Sequence, residues 1–208
     1  MLSIRHWFDF LFPPRKDELV LRAVSLDAFL ARMAPKLLPD TRPGTAVLLP
    51  FHDASVRSAI HEAKYHGNSR TFTLLGLVLT DYLRDADDVG RTTSYIYLVP
   101  VPLGTERFKE RGFNQIEEIA RHAAKELNIP LETNLLVRTR ETVSQVSLPR
   151  HKREENMRGA FRATRRADPT HTYIVIDDVI TTGATLQAAI DALREAGAEH
   201  IIPLALAH

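Results

Sequence analysis

The clearest hydrophobic pattern lies in residues 173–196, YIVIDDVITTGATLQAAIDALREA. Its first four residues are all apolar, which predicts a parallel strand buried on both faces. Apolar side chains then recur every three or four positions, as in an amphipathic helix, at Leu186, Ala189, Ile190, Leu193 and Ala196. Gly197 is placed to end that helix in a left-handed conformation, and a second apolar run follows at 201–207. The pattern predicts a βαβ unit.

Similar patterns continue through the rest of the chain. Strands are predicted at 46–51 and 95–101, and helices at 1–12, 18–38, 55–64, 71–84 and 116–127. Residues 39–44 contain Pro and Gly and predict a linker, whereas 138–160 show no convincing periodicity. Alternating strands and helices in the second half predict an α/β fold with a mostly parallel central sheet flanked by helices. We divide the chain into a helical N-terminal hood or appendage, 1–45, and a main domain, 46–208.

Composition narrows the function classes only slightly. The chain has 208 residues and a net charge of +1, which argues for neither nucleic acid nor membrane binding. Residues 138–166 nevertheless hold nine Lys/Arg and three Glu, a local charge of +6. The absence of cysteine excludes disulfides and thiolate-bound zinc and agrees with a cytoplasmic location. We expect no membrane span, and residues 1–12 lack the features of a signal peptide.

Two carboxylates and a small polar loop separate the predicted strand from its helix. Asp177 and Asp178 stand at the carboxyl end of the strand, where open α/β sheets bind their ligands. The loop 181–185 supplies hydroxyls, a glycine and backbone N–H groups at a helix start, which together suit an anion. Neither a G-x-G-x-x-G nor a G-x-x-x-x-G-K motif is present, so dinucleotide and P-loop sites are not indicated. The alternative is an ordinary crossover whose acidic residues are merely solvated.

A second candidate element follows the strand predicted at 95–101. Prolines at 100 and 102 form a rigid turn, and Arg107 and Arg111 lie just beyond it. Arginine offers a planar fork of donors that suits phosphate oxygens, and Gly112 permits close approach of backbone to a ligand. The alternative interpretation of this segment is a solvated basic turn.

The segment 173–185 resembles the phosphoribosyl-pyrophosphate (PRPP) signature of type I phosphoribosyltransferases. That resemblance implies that Asp177 and Asp178 hold the ribose hydroxyls and bind Mg²⁺, directly or through water. It implies a 5′-phosphate loop formed by Thr181, Thr182, Gly183, Ala184 and Thr185. It also implies a pyrophosphate loop formed by Pro100, Val101, Pro102 and Leu103.

The catalytic residues that the resemblance implies are Asp177, Asp178, Arg107, Arg111 and Arg153. Residues 138–160 would be a mobile basic flap that closes over PRPP, with Gln145, Arg150 and Asn156 as its site residues; the alternative is a disordered basic linker.

Five blocks in order make the chain similar to the ComF family of competence-associated, phosphoribosyltransferase-like proteins. The blocks are 7–15 (WFDFLFPPR), 60–67 (IHEAKYHG), 99–115, scattered positions in 138–161, and 177–185. One departure is the absence of the cysteine zinc module that usually follows the first block. We therefore expect no zinc, because the spacing of His52, His61 and His66 does not favour a replacement site.

The resemblance implies Mg²⁺-dependent phosphoribosyl transfer from PRPP and a family role in DNA uptake. The alternative is a non-catalytic competence component that binds single-stranded DNA or competence proteins through the same phosphate-binding fold and the basic strip. A PRPP-sensing repressor is less favoured, because no basic helix-turn-helix is evident in the first 95 residues. Type I relatives often pair, so a homodimer stays open, and the sequence does not name the acceptor.

Overall fold

A computed structural model describes residues 14–86, 95–140 and 150–208 of the chain. Its helices are α1 (Lys16–Arg22), α2 (Leu26–Leu30), α3 (Ala54–His66), α4 (Ser69–Asp85), α5 (Thr105–Arg111), α6 (Gln115–Leu127), α7 (Arg150–Met157) and α8 (Ala184–Glu195). Its strands are β1 (Lys36–Leu38), β2 (Thr45–Leu49), β3 (Ile96–Pro100), β4 (Leu136–Arg138), β5 (Phe161–Ala163), β6 (Thr172–Val179) and β7 (His200–Ala207).

The main sheet has the order β1-β2-β7-β6-β3. Strands β2, β7, β6 and β3 are parallel, and only the edge strand β1 is antiparallel. Ala207 of β7 pairs with both Leu49 and Val179, so the parallel strands end together at one edge. The predicted α/β fold with a mostly parallel, helix-flanked sheet is confirmed, and its carboxyl edge positions the candidate site.

Alternate residues of β6 pack into two separate hydrophobic cores, one on each face of the main sheet. Ile174 and Ile176 pack with helices α3, α4 and α6, whereas Tyr173 and Val175 pack with α8 and the small β4–β5 sheet. A strand directs successive side chains to opposite faces, so burial on both sides requires an unbroken apolar run. The run at 173–176 is apolar for this reason.

The segment without clear periodicity contains ordered elements at both ends. Strands β4 and β5 pair antiparallel, and the Thr139 amide donates to the Ala160 carbonyl beyond them. Helix α7 is strongly polar, and Met157 at its end is buried in the core beneath α8. Among residues 152–157, whose burial is described, only Met157 is buried. This gives no helical stripe, so hydrophobic patterning could not reveal the helix.

The prediction of one helix over 18–38 is wrong. The chain forms α1 and α2 instead, and Ser25 begins the second helix by accepting a hydrogen bond from the Ala28 amide. Pro35 precedes β1, which lies within the segment assigned to the appendage and pairs with β2. A capping serine and a proline therefore interrupt the apolar pattern. Helix α5 was not predicted at all, and the helix predicted at 1–12 lies outside the described residues.

Within residues 14–86, 95–140 and 150–208, no helix is both long enough and apolar enough to cross a bilayer.

Candidate functional site

A cleft of about 320 Å³ opens at the carboxyl edge of the sheet. The structure brings nine of the predicted site residues to its wall: Val101, Pro102, Leu103, Arg107, Arg111, Asp177, Asp178, Thr181 and Thr185. Pro100 ends β3 in a buried position and is not among the lining residues. The wall also contains Lys64, Gln115 and Arg138, which the sequence analysis did not assign to the site.

Both carboxylate oxygens of Asp178 have a partner in the protein. The Gln115 side-chain amide donates to Oδ2, and the Lys64 ammonium lies 3.2 Å from Oδ1. Asp178 itself is only 6% exposed. A buried carboxylate is costly unless a cation and a hydrogen-bond donor lie against it, and these two side chains supply them.

Asp177 lies in a different environment from its neighbour. It is half-buried, and its Oδ1 accepts a hydrogen bond from the Asp178 amide at 2.9 Å. Burial and the negative charge of Asp178 raise the pKa of Asp177 to about 7. Near neutral pH this carboxyl is therefore able to accept or release a proton, or to gain charge when a cation approaches.

The loop 181–185 leads into the first turn of α8, and its backbone forms the N-terminal cap of that helix. Gly183 caps the helix in the left-handed region at φ 71°, and its carbonyl accepts from the Gln187 amide. A small cavity of about 20 Å³ is lined by Asp177, Thr181, Gly183, Ala184 and Thr185, with three neighbouring apolar residues. Backbone N–H groups at a helix start and adjoining hydroxyls make it an anion cradle. Its size is suited to one small group and not to an aromatic ring.

Thr182 has a separate place in this loop. Its side chain is buried, its hydroxyl has no hydrogen-bond partner within the described ranges, and it lines an outer groove instead of the cradle. The predicted phosphate loop thus divides into four residues at the cradle and one beneath it.

The turn 99–115 is held by the residues that follow its arginines. Gly112 ends α5 at φ 78°, and Asn114 begins α6 while its side-chain amide donates to the Val101 carbonyl. Arg111 donates to the Gln115 side chain at 2.9 Å and lies 5.1 Å from the centre of the Tyr65 ring. Arg111 is thereby fixed at the wall of the cleft and linked through Gln115 to Asp178.

Like Gln115 and Arg138, Lys64 is a site residue that the sequence pattern does not predict. It belongs to the block 60–67, which carried part of the family resemblance but was given no role there. The only available signal was a lysine inside a recognised block, since nothing in its local pattern points to a site on a distant strand. Helix α3 places it in the cleft.

Helix α3 is also anchored by contacts with the N-terminal segment around Arg15 and Asp17. Arg15 donates two hydrogen bonds to the fully buried Glu62, at 2.9 and 2.7 Å. Asp17 accepts from Ser58 and lies 2.8 Å from His61. Hydrogen bonds from Arg15 hold the pKa of Glu62 below its usual value. The first and second recognised blocks therefore bind one another.

Of the predicted flap residues, Arg150 and Asn156 lie in α7, as does the predicted catalytic residue Arg153. Arg153 Nη1 is 3.3 Å from the Thr181 hydroxyl, so this helix borders the phosphate loop. Arg150 begins the helix, and the Asn156 carbonyl accepts from Arg140. Gln145 lies outside the described residues. Roles for these side chains toward a ligand stay predictions.

The acidic pair fits a Mg²⁺ ion that arrives with its ligand. Mg²⁺ usually takes one or two carboxylates together with substrate oxygens and water. Asp178 is engaged by Lys64 and Gln115, so Asp177 is the carboxylate that would hold the ion, directly or through water. His61 and His66 lie against Asp17 and Glu62, and residues 14–86, 95–140 and 150–208 contain no cluster of three metal-ligating side chains.

Comparison with known proteins identifies the family. Residues 117–208 match the phosphoribosyl transferase domain family. The chain is 34% identical over 106 residues to competence protein F of Haemophilus influenzae, covering 50% of this chain and 46% of that protein. It is 30% identical over 142 residues to DNA utilization protein YhgH of Escherichia coli, covering 67% and 61%. The chain belongs to the ComF family.

Membership in the ComF family accounts for the phosphoribosyltransferase-like sheet. The matches span about half to three fifths of the length of these curated relatives. Glutamine PRPP amidotransferase from B. subtilis is a more distant structural neighbour, 16% identical, with a TM-score of 0.43 and coverage of 70% of this chain and 30% of its own. At that score the likeness adds nothing to the family match.

Proposed function

We propose that this ComF protein binds PRPP in the cleft at the carboxyl edge of its sheet and transfers the phosphoribosyl group in the presence of Mg²⁺. The single observation that supports this most is the adjacency of the acidic pair and the amide cradle in one opening. The acids suit sugar hydroxyls, and the cradle suits a phosphate. A ribose 5-phosphate presents those two groups.

Each part of the cleft has a distinct task in this mechanism. Asp177 and Asp178 accept hydrogen bonds from the ribose hydroxyls, and the loop 181–185 donates to the 5′-phosphate. Arg107 and Arg111 face the end of the cleft formed by the 101–103 turn and stabilise the charge that leaves with pyrophosphate. Bound Mg²⁺ would supply further neutralisation of that charge. No protein base is assigned to the acceptor.

The test of this proposal is a thermal shift with PRPP and Mg²⁺. We expect millimolar PRPP to raise the melting temperature of the wild-type protein. The Asp177→Asn, Asp178→Asn double variant should lose the shift, because its neutral amides are weaker acceptors for hydroxyls and bind no cation. The exposed pair Asp81→Asn, Asp85→Asn on α4 is the matched control and should keep it. An unchanged melting temperature in the wild type would contradict PRPP binding.

A second candidate function is binding of single-stranded DNA as a component of DNA uptake. It is favoured by the location of α7, whose basic residues border the phosphate loop through Arg153. A salt-dependent gel shift that is lost in the Arg150→Gln, Lys152→Gln, Arg153→Gln variant would support it. The control removes three exposed cations elsewhere, Arg57, Arg121 and Lys125. Equal shifts in both variants would exclude a role for α7.

A further inference from the structure

The block 60–67 has a role that neither its sequence nor the family match assigns. Lys64 leaves α3 near its end, and its ammonium reaches the carboxylate of Asp178 at 3.2 Å. Its side chain is 23% exposed, whereas that of Asp178 is 9% exposed. The lysine thus lies between the buried acid and the open cleft, where an incoming ligand meets it first.

Lys64 is not needed to orient Asp178. Gln115 already donates to the other oxygen of that carboxylate, and Arg111 holds Gln115 in place at 2.9 Å. A lysine ammonium is a compact charge on a flexible four-carbon stem, so it moves a few ångströms at small cost. In this ion pair, Lys64 is partly exposed and able to move, whereas the orientation of the Asp178 carboxylate is fixed by Gln115.

The charges of the cleft define which part of a ligand Lys64 faces. Three arginines, Arg107, Arg111 and Arg138, share its wall, and all lie outside the small amide cradle. Lys64 is likewise absent from the residues that line the cradle. A phosphate in the cradle is therefore bound mainly by backbone, and a second anionic group must lie against the cationic wall.

We infer that Lys64 is a ligand-binding residue of this cleft, which neutralises Asp178 in the ligand-free protein and contacts the pyrophosphate end of the ligand when it binds. The inference rests on the proposed function and deepens it. It makes the cleft selective for ribose 5-phosphates that carry a second anionic group at the other end of the sugar. It also explains why a lysine stands in the block 60–67.

The test compares two ligands that differ only at that end. PRPP and ribose 5-phosphate are titrated calorimetrically, each with Mg²⁺, into wild type, Lys64→Met and Lys64→Arg. We expect Lys64→Met to weaken PRPP binding by about 10- to 100-fold, the value of a charge-assisted hydrogen bond. Its affinity for ribose 5-phosphate should change less than about threefold. Lys64→Arg should recover most of the PRPP affinity, and Lys125→Met, an exposed lysine of α6, controls for net charge.

The outcomes separate this inference from the proposed function. If wild type binds neither ligand, the proposed function fails. If wild type binds PRPP and Lys64→Met binds it equally well, the inference alone fails. Equal loss of both ligands in Lys64→Met would also overturn it, since Lys64 would then act only through Asp178. Circular dichroism and melting curves of each variant identify a folding defect, and Lys64→Gln, titrated with both ligands in the same way, supplies the reading if Lys64→Met does not fold.

Discussion

The two walls of the cleft are built in different ways. One wall is the loop 181–185 at the start of α8, which presents backbone N–H groups and hydroxyls from a continuous stretch of chain. The other wall presents charged side chains from α3, α5 and β4. The first is shaped by backbone conformation, and the second by contacts between elements that are distant in the sequence.

This difference determines how each wall responds to change. A backbone cradle tolerates replacement of many of its side chains but not a change of its φ and ψ angles. The charged wall depends on particular side chains, and these depend in turn on supports such as the Arg15–Glu62 pair behind α3. Substitutions therefore test the two walls separately.

The largest effect is expected at Gly183 in the backbone wall. A Cβ there would stand 2.7 Å from the Asp40 carbonyl oxygen, at a φ of +71°. We expect Gly183→Ala to lower the free energy of unfolding by about 3–4 kcal/mol and to abolish the PRPP-induced thermal shift. Gly159→Ala is the matched control, because its φ is +65° but nothing lies within 4 Å of the added Cβ. It should lose only about 1 kcal/mol; equal losses in urea unfolding would exclude the close contact.

A smaller effect is expected where the charged wall is supported. Arg15→Met leaves the fully buried Glu62 without its principal partner and should cost about 2–3 kcal/mol near pH 7. Arg84→Met, which breaks an exposed pair with Asp81, should change stability by less than about 0.5 kcal/mol.

The Arg15–Glu62 pair makes the stability of the folded protein depend on pH, and the sign of that dependence follows from the pKa of Glu62. Because Arg15 lowers the pKa of Glu62 from its usual 4.5, the pair stabilises the folded state above that pH. The stability is lost as the pH falls through the lowered pKa. Urea unfolding from pH 7 to pH 3 should therefore show the difference between wild type and Arg15→Met shrinking, and a constant difference would contradict it.

The smallest effect is expected at Gln115, which links Arg111 of the charged wall to Asp178. Gln115→Met removes the donor to Asp178 and the acceptor for Arg111 but leaves Lys64 in place. We expect PRPP affinity to fall about tenfold and stability to fall by about 1–2 kcal/mol. Gln187→Met on α8, which loses its contact with the Arg42 amide, should alter stability without altering affinity. Calorimetric titration and urea unfolding distinguish the two results.

The sheet and the backbone wall could be predicted from the sequence because their information is local. The run 173–176, the two aspartates and the loop before α8 are contiguous, and each has a composition that few other structures require. The same holds for the turn at 100–102 and its two arginines. In each case the residues that form the feature lie within about one helix length of one another.

Lys64 and Gln115 could not be predicted as site residues because their contacts are not local. Lys64 reaches an aspartate on a strand that follows much later in the chain, and no periodicity links them. Gln115 lies within the recognised block 99–115, yet its hydrogen bond to Asp178 depends on how α6 packs against β6. The erroneous helix over 18–38 has a different cause, since periodic apolar residues outweighed a serine cap and a proline.

The most direct test of the account is a crystal structure of the protein with PRPP and Mg²⁺. We predict the 5′-phosphate on the amides of 181–185, the ribose hydroxyls on Asp177 and Asp178, and the pyrophosphate against Lys64 and Arg111. PRPP bound in another groove, making no contact with the 181–185 cradle or with Asp177 and Asp178, would contradict the claim that this cleft binds PRPP.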